Sequence, residues 1–432
     1  MNTYPHPMIH SIRLPSLAQL GRAAWAVMLR LLATLVVLLL VLPVALLPIG
    51  TAVPPFVWVL LALAEIALVV ALVRFWRRRR AALGMLASLA GVAVLAVVAS
   101  QAFAATPPML GVNGQPLPNS IAVMEKVQIG GSEQWITIRG ENINKPVLLY
   151  LGIGGPGAGG FPANALVLAP LEKHFVVVNW DQPGTGKSYD SAPIASLTVE
   201  RFVSDAHDLT QMLRARFHQD KIYVLGLSWG TILGTKLVQQ YPDLFYAYVG
   251  TGQMVNTTQN DRMGYQLALK IAAERGASAT VNRLQRNGSP PYDGAGMAMK
   301  YAAYNNVLFD YMGSARLEQV LLLVPQFARE YGLLDKLNFA RGLIDSFPVV
   351  YPQLRDLDFT AQAARLDVPM YFLVGRRDVN AMASLVERYY TVLDAPHKEL
   401  IWLDSGHGAG AGEILDAMVN HVLVMSAPHP AQ

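Results

Sequence analysis

The 432-residue chain has no cysteine, which excludes disulfides and a thiol nucleophile but leaves the compartment open. Lysine is missing from the first 104 residues, where eight arginines face a single acid, Glu65, for a net charge of +7. The whole chain is +4, so residues 105–432 carry −3. The basic balance thus belongs to one region, in which arginine flanks long apolar runs. Such a pattern orients membrane spans and gives no reason to expect nucleic acid as a partner. Charge is absent altogether from residues 105–120, ATPPMLGVNGQPLPNS, whose prolines and glycines read as a linker.

Three apolar stretches precede that linker, from about Leu31 to Leu47, Phe56 to Val73 and Ala82 to Ala104. Each approaches the ~20 residues that cross a hydrocarbon core. The first holds 13 Leu and Val residues. At about −0.3 to −0.6 kcal/mol each they favour insertion by roughly 4–8 kcal/mol, before any penalty for Pro43. Glu65 in the second costs about 3 kcal/mol, which its apolar neighbours outweigh. Arg74 and Arg77–Arg80 separate the second and third stretches, whereas the loop at Ile49–Pro55 is uncharged. The arginine-rich loop, and the N-terminus with Arg13, Arg22 and Arg30, are therefore expected in the cytoplasm. Residues 1–104 read as a multi-pass anchor of three transmembrane helices, in contact with the bilayer over residues 31–104. Three crossings deliver the rest of the chain to the extracytoplasmic side, the periplasm in a Gram-negative bacterium. Ala102-Phe103-Ala104 after an apolar run also has the form of a signal-peptidase site, but two further spans precede it.

From Ile121 onward apolar runs of strand type alternate with amphipathic segments. Trp135–Ile138, Pro146–Ile153, Phe175–Trp180, Ile222–Leu227, Ala247–Gly250, Met370–Gly375 and Glu399–Leu403 read as strands, with helices between them. Such alternation argues for an α/β fold, a mostly parallel sheet covered on both faces. Residues of about 257–353 break the rhythm. They are helix-like and rich in aromatics, and read as a helical cap inserted in a domain spanning 121–432. Asn287–Gly296, NGSPPYDGAG, reads as an exposed turn within the cap.

Gly226-Leu227-Ser228-Trp229-Gly230 fits G-x-S-x-G, and it lies between a buried strand and a helix. That context places a serine on a sharp turn at the carboxyl edge of a sheet. A serine hydroxyl needs a base, and the base an orienting acid, which follow in the order acid, then histidine. Asp378 follows the strand at Met370–Gly375, and His407 follows the strand at Glu399–Leu403. Asp356, Asp358 and Asp367 precede their strand and belong to the opposite edge. The catalytic candidates are therefore Ser228, Asp378 and His407. Donors for an oxyanion are expected from the N–H of Trp229 and from the loop Gly152–Gly157, with Gly154 or Gly155 foremost. No cofactor or metal is expected. Gly186-Lys187-Ser188 lacks the spacing of a phosphate-binding loop.

GIGGPG, NWDQPGTGKS (Asn179–Ser188) and GLSWG, with the Asp378 and His407 contexts, together resemble the proline iminopeptidase-like branch of the α/β-hydrolases over roughly residues 125–425. The resemblance implies an α/β-hydrolase fold with a capped sheet, acting without cofactor on small substrates, often to release an N-terminal amino acid. Two positions depart from the branch: Ile153 stands where it has His, and Pro183 where it has Arg. Family aminopeptidases bind the substrate's free amine with cap acids. Asp310, Glu318 and Glu330 are candidates, though solvated cap surface is the expectation for them. Three functions stay in view: a membrane-anchored aminopeptidase-like serine hydrolase on small peptides, an ester or lipid-acyl hydrolase with the same machinery, and a catalytically silent binding module.

Overall fold

The computed structural model describes residues 17–152, 155–294, 296–313, 325 and 328–426. It divides into two compact units, one made of the N-terminal helices and one made of residues 100 onward together with Ile49–Ala52.

The N-terminal unit contains α1 (Leu17–Leu46), α2 (Pro55–Phe75) and α3 (Arg79–Ala102) up to Ala99, the last three residues of α3 belonging to the larger unit. All three are long and apolar enough to cross a membrane, over Val27–Leu46, Pro55–Phe75 and Arg79–Ala102. Leu72, Ala82 and Leu89 are buried among Val37, Leu40, Leu68 and Val69, so the helices pack on one another. Glu65 faces inward and is buried.

The larger unit is built on an eight-stranded sheet. Its strands are β1 (Ile121–Ile129), β2 (Ser132–Gly140), β3 (Val147–Leu151), β4 (Val176–Asp181), β5 (Ile222–Leu227), β6 (Phe245–Thr251), β7 (Met370–Gly375) and β8 (Lys398–Leu403). They lie in the order β1-β2-β4-β3-β5-β6-β7-β8, with β2 antiparallel to both neighbours and the other pairs parallel. β3, β4, β5 and β7 are buried at every position, as strands covered on both faces must be. One face carries Trp180, Phe202, Leu209 and Ile232. The other carries Tyr150, Phe175, Tyr223 and Met418.

α4 (Val199–Phe217), started by the Thr198 side chain accepting from the Arg201 N–H, and α5 (Trp229–Gln240) cover the sheet. Between β6 and β7 the described residues form helices: α6 (Thr257–Glu274), α7 (Ser278–Asn287), α8 (Met297–Tyr311), α9 (Leu333–Asp345) and shorter turns. This region's core is aromatic, with Tyr265, Tyr301 and Tyr304 buried together. Tyr292 joins them, its ring 5.0 Å from that of Tyr301, so the Asn287–Gly296 turn is not exposed throughout. Residues 105–120 form no long strand or helix, yet they are not loose. Arg139 binds Thr106 and the Pro107 carbonyl at 2.6 Å each, and Thr106 Oγ1 donates to Glu330 at 3.0 Å.

Candidate active site

Because β3 to β8 run parallel, the loops after them gather at one edge of the sheet, where ligands of such folds bind. Ser228 follows β5 with φ +54° and ψ −115°, a conformation that costs a non-glycine residue of order 1–3 kcal/mol. Close packing imposes it. A Cβ on Gly230 would lie 1.9 Å from the Leu151 carbonyl oxygen, and one on Gly226 would lie 2.7 Å from that of Gly230. The two glycines thus let the elbow sit against β3, which holds Ser228 at the head of α5.

His407 Nε2 lies 3.0 Å from Ser228 Oγ, and its Nδ1 lies 3.0 and 3.2 Å from the two carboxylate oxygens of Asp378. Asp378 is buried, and its Oδ1 accepts from the N–H groups of Asn380 (2.9 Å) and Ala381 (2.8 Å). The loop carrying His407 is pinned by Ala409, whose N–H donates to Thr251 Oγ1 at 2.7 Å. Gly252, after β6, went unnoticed in the sequence. It has φ +58°, and a Cβ there would come within 2.7 Å of the His407 ring.

The N–H of Trp229 belongs to the first turn of α5, where backbone donors lack intrahelical acceptors. The Trp229 indole donates to Gln182 Oε1 at 3.0 Å, which fixes its side chain against the loop after β4. Gly155, with φ +72°, lines the same cavity as Ser228, while Gly154 and Ile153 lie outside the described residues. Lys187 of the Gly186-Lys187-Ser188 run faces a carboxylate: its ammonium is 2.8 Å from Asp335, both side chains buried, and Ser188 Oγ accepts from the Trp135 N–H.

Asp181, in the Asn179–Ser188 segment, is buried as well. It accepts from the N–H groups of Gly160 and Lys187 and from the Tyr331 hydroxyl, all at 2.8 Å. Burial raises its pKa to about 7, against the lowering effect of those hydrogen bonds.

Above the edge, helices α8 and α9 and the turn at 347–354 enclose a cavity of about 520 Å³. Ser228 and His407 are on its floor, and its walls are largely Phe309, Phe339, Phe347, Leu343, Ile344 and Met299. One wall group is charged, and it was not among the acids singled out in the sequence. Asp261 on α6 is 3% exposed and accepts from the hydroxyls of Tyr351 (2.9 Å) and Tyr304 (3.2 Å). Burial raises it to about 7, the tyrosine hydrogen bonds opposing. No ion pair reaches it among the described residues. The expected acids lie elsewhere. Asp310 is exposed and pairs with Arg275, and Glu318 lies outside the described residues. Glu330 is not solvated, but is buried between Thr106 and Asn164.

Strand order, elbow and helical insertion define an α/β-hydrolase. The serine aminopeptidase S33 family model matches residues 165–308. The protein named Probable aminopeptidase YbaC, from Bacillus subtilis, is 33% identical over 289 residues, 66% of this chain and 89% of that one. A proline iminopeptidase of Heyndrickxia coagulans is 25% identical over 254 residues, 59% of this chain and 82% of its own. The crystal structure of a proline iminopeptidase-related protein from Thermus thermophilus is 20% identical and covers 71% of this chain and 96% of its own, with a TM-score of 0.47. The chain belongs to the proline iminopeptidase-like α/β-hydrolases, and it is a hydrolytic enzyme.

Proposed function

We propose that the protein is a membrane-anchored serine hydrolase that releases N-terminal residues from small peptides or aminoacyl amides. The buried Asp261 carboxylate, unpaired with any cation among the described residues and set in the wall over Ser228, carries this reading. An anion kept in a mostly apolar cavity at such a desolvation cost suits a ligand that brings a cation, and a substrate's ammonium group is one.

In this reading Ser228 Oγ attacks the substrate carbonyl while His407 Nε2 takes its proton. Asp378 accepts the His407 Nδ1 proton in a hydrogen bond and thereby fixes the tautomer that leaves Nε2 free as base. The negative oxygen that forms is met by the Trp229 N–H and by a donor of the glycine loop, Gly155 or Gly154. His407 then protonates the leaving amine, and water hydrolyses the acyl-Ser228 ester. The three apolar helices serve as a multi-pass anchor, and the positive-inside arrangement of Arg74 and Arg77–Arg80 supports an extracytoplasmic position for the hydrolase.

The apolar walls favour a second reading, hydrolysis of esters or acyl groups by the same machinery. Acetylating the substrate's amine separates the two. An aminopeptidase loses at least ~100-fold in kcat/KM, about 2.7 kcal/mol, whereas an esterase is indifferent. Ser228→Ala is expected to abolish fluorophosphonate labelling and to lower kcat by about 10⁶-fold. Equal turnover of free and acetylated substrates would promote the esterase, and labelling that survives the substitution would move the chemistry to another serine.

A further inference from the structure

Helix α9 buries Lys336, Phe339 and Gly342 and leaves Leu334, Leu337 and Ile344 exposed, at 46, 55 and 68%. Spacings of three, seven and ten residues lie along one strip of a helix, here with Ala340 and Arg341 beside it. The strip is about 15 Å long at 1.5 Å per residue. Ile344 at its far end also lines the cavity over Ser228, as does Met299, 77% exposed on α8. Single exposed apolar residues need no explanation, but a strip that ends at the mouth of a cavity marks a contact surface.

The other end of α9 is bonded to residues of its own unit, at the end of α3 and in the turn between α1 and α2. Leu333 N–H donates to Ser100 Oγ at 2.9 Å, and Gln101 donates to Asp335 at 3.3 Å. Lys336 Nζ donates to the carbonyl of Gly50, in the turn between α1 and α2, at 2.8 Å. Just before α9, the Arg329 carbonyl accepts from the Ala105 N–H at 3.2 Å. Since α3 ends at Ala102, only two residues separate it from that contact, and they span at most about 10 Å when extended. The connector between the apolar helices and the hydrolase domain is therefore short.

We propose that the Leu334, Leu337 and Ile344 strip seats in the interfacial layer of the bilayer, and that the cavity takes amphiphilic aminoacyl substrates from that layer. The second half rests on the hydrolase reading given above; the first does not. Arg341 beside the strip, its guanidinium 4.1 Å from the Tyr189 ring and donating to Asn338, supplies a positive charge for anionic headgroups. The occupant is a lipid surface, with the soluble phase or a protein partner as the outcomes that would displace it.

The chain's lack of cysteine gives a clean test. The full-length protein is reconstituted in phosphatidylcholine–phosphatidylglycerol vesicles with one environment-sensitive fluorophore, either on Leu337→Cys or on Arg365→Cys. Arg365 is exposed before β7, at the opposite edge of the sheet. At position 337 a nitroxide carried on lipid chains should quench at least threefold more than at 365, and aqueous iodide correspondingly less. Iodide quenching equal at both positions, with no lipid quenching at either, overturns the docking. In the same vesicles, Leu334→Asn with Leu337→Asn should lower kcat/KM at least tenfold for an aminoacyl amide of a long-chain amine. The water-soluble aminoacyl amide should stay within twofold. An equal change for both substrates overturns delivery from the membrane. If neither substrate is turned over by the unmodified protein, the hydrolase reading fails, and the quenching still decides the docking.

Discussion

Asp261 differs from Asp310 and Glu330, two of the acids singled out in the sequence, in surroundings rather than in chemistry. Asp310 is exposed and pairs with Arg275, and Glu330 is occupied by Thr106 and Asn164, whereas Asp261 is buried and accepts from the neutral hydroxyls of Tyr304 and Tyr351. Its pH behaviour follows. With its pKa raised by burial to about 7, the carboxylate is an anion in the free enzyme only above that pH. A substrate α-amino group loses its proton above about 8. The ratio of kcat/KM for free over acetylated substrate should therefore peak between pH 7 and 8 and fall about tenfold per unit below 7. Effects on the catalytic steps that both substrates share cancel from the ratio. Asp261→Asn should flatten the profile, and a ratio already flat in the unmodified enzyme would remove Asp261 as the amine's partner. Ser228, Asp378 and His407 could be picked out from sequence because each follows its own strand within a few residues. Asp261 could not, since the tyrosines that hold it are 43 and 90 residues away.

At the scale of elements, the apolar runs located seven strands but missed β1 at the sheet's edge, where the apolar residues of IAVMEKVQI are interrupted by Glu125-Lys126 and Gln128. The signal was present in Gly130-Gly131, a two-residue turn with φ +56° and +74° between β1 and β2. What the strands could not reveal is how loops after different strands are bound together. Asp181, at the end of β4, joins the glycine loop through Gly160, its own turn through Lys187 and the segment before α9 through Tyr331. All its partners are donors, so an amide in its place turns an N–H toward at least one of them, as the protonated acid turns its O–H below about pH 7. Asp181→Asn should therefore change stability by no more than about 1 kcal/mol near pH 5. The sign of the pH effect follows from linkage. An aspartate ionises near 3.9 when unfolded and near 7 here, so between those values the folded state binds more protons. The aspartate's contribution then declines as pH rises through that window, and the asparagine, which does not titrate, is unaffected. The thermal midpoint of the unmodified protein should accordingly fall relative to that of Asp181→Asn from pH 5 to pH 8. A relative rise would mean that Asp181 titrates below its unfolded value.

At the scale of the whole molecule, topology decides which substrates the enzyme meets. The three apolar helices are matched by a charge pattern that repeats the same message twice. Five arginines stand where α2 ends and α3 begins, and Arg13, Arg22 and Arg30 lie before the run of Leu and Val in α1, while Ile49–Pro55 between α1 and α2 has no charge. Retaining both arginine groups in the cytoplasm requires the uncharged loop to be translocated, and then an odd number of crossings precedes Ser228. A reporter that is active only outside the cytoplasm, fused after Gln432, should be active, and a reporter that works only in the cytoplasm should be silent. Replacing all five of Arg74 and Arg77–Arg80 by Asn should weaken the preference and yield mixed signals, because the remaining bias rests on Arg13, Arg22 and Arg30 alone. The fused protein should also migrate at full length, since cleavage after Ala104 would release a soluble hydrolase. The reverse reporter pattern would require two or four crossings, and it would turn the cavity toward cytosolic peptides in place of those outside the membrane.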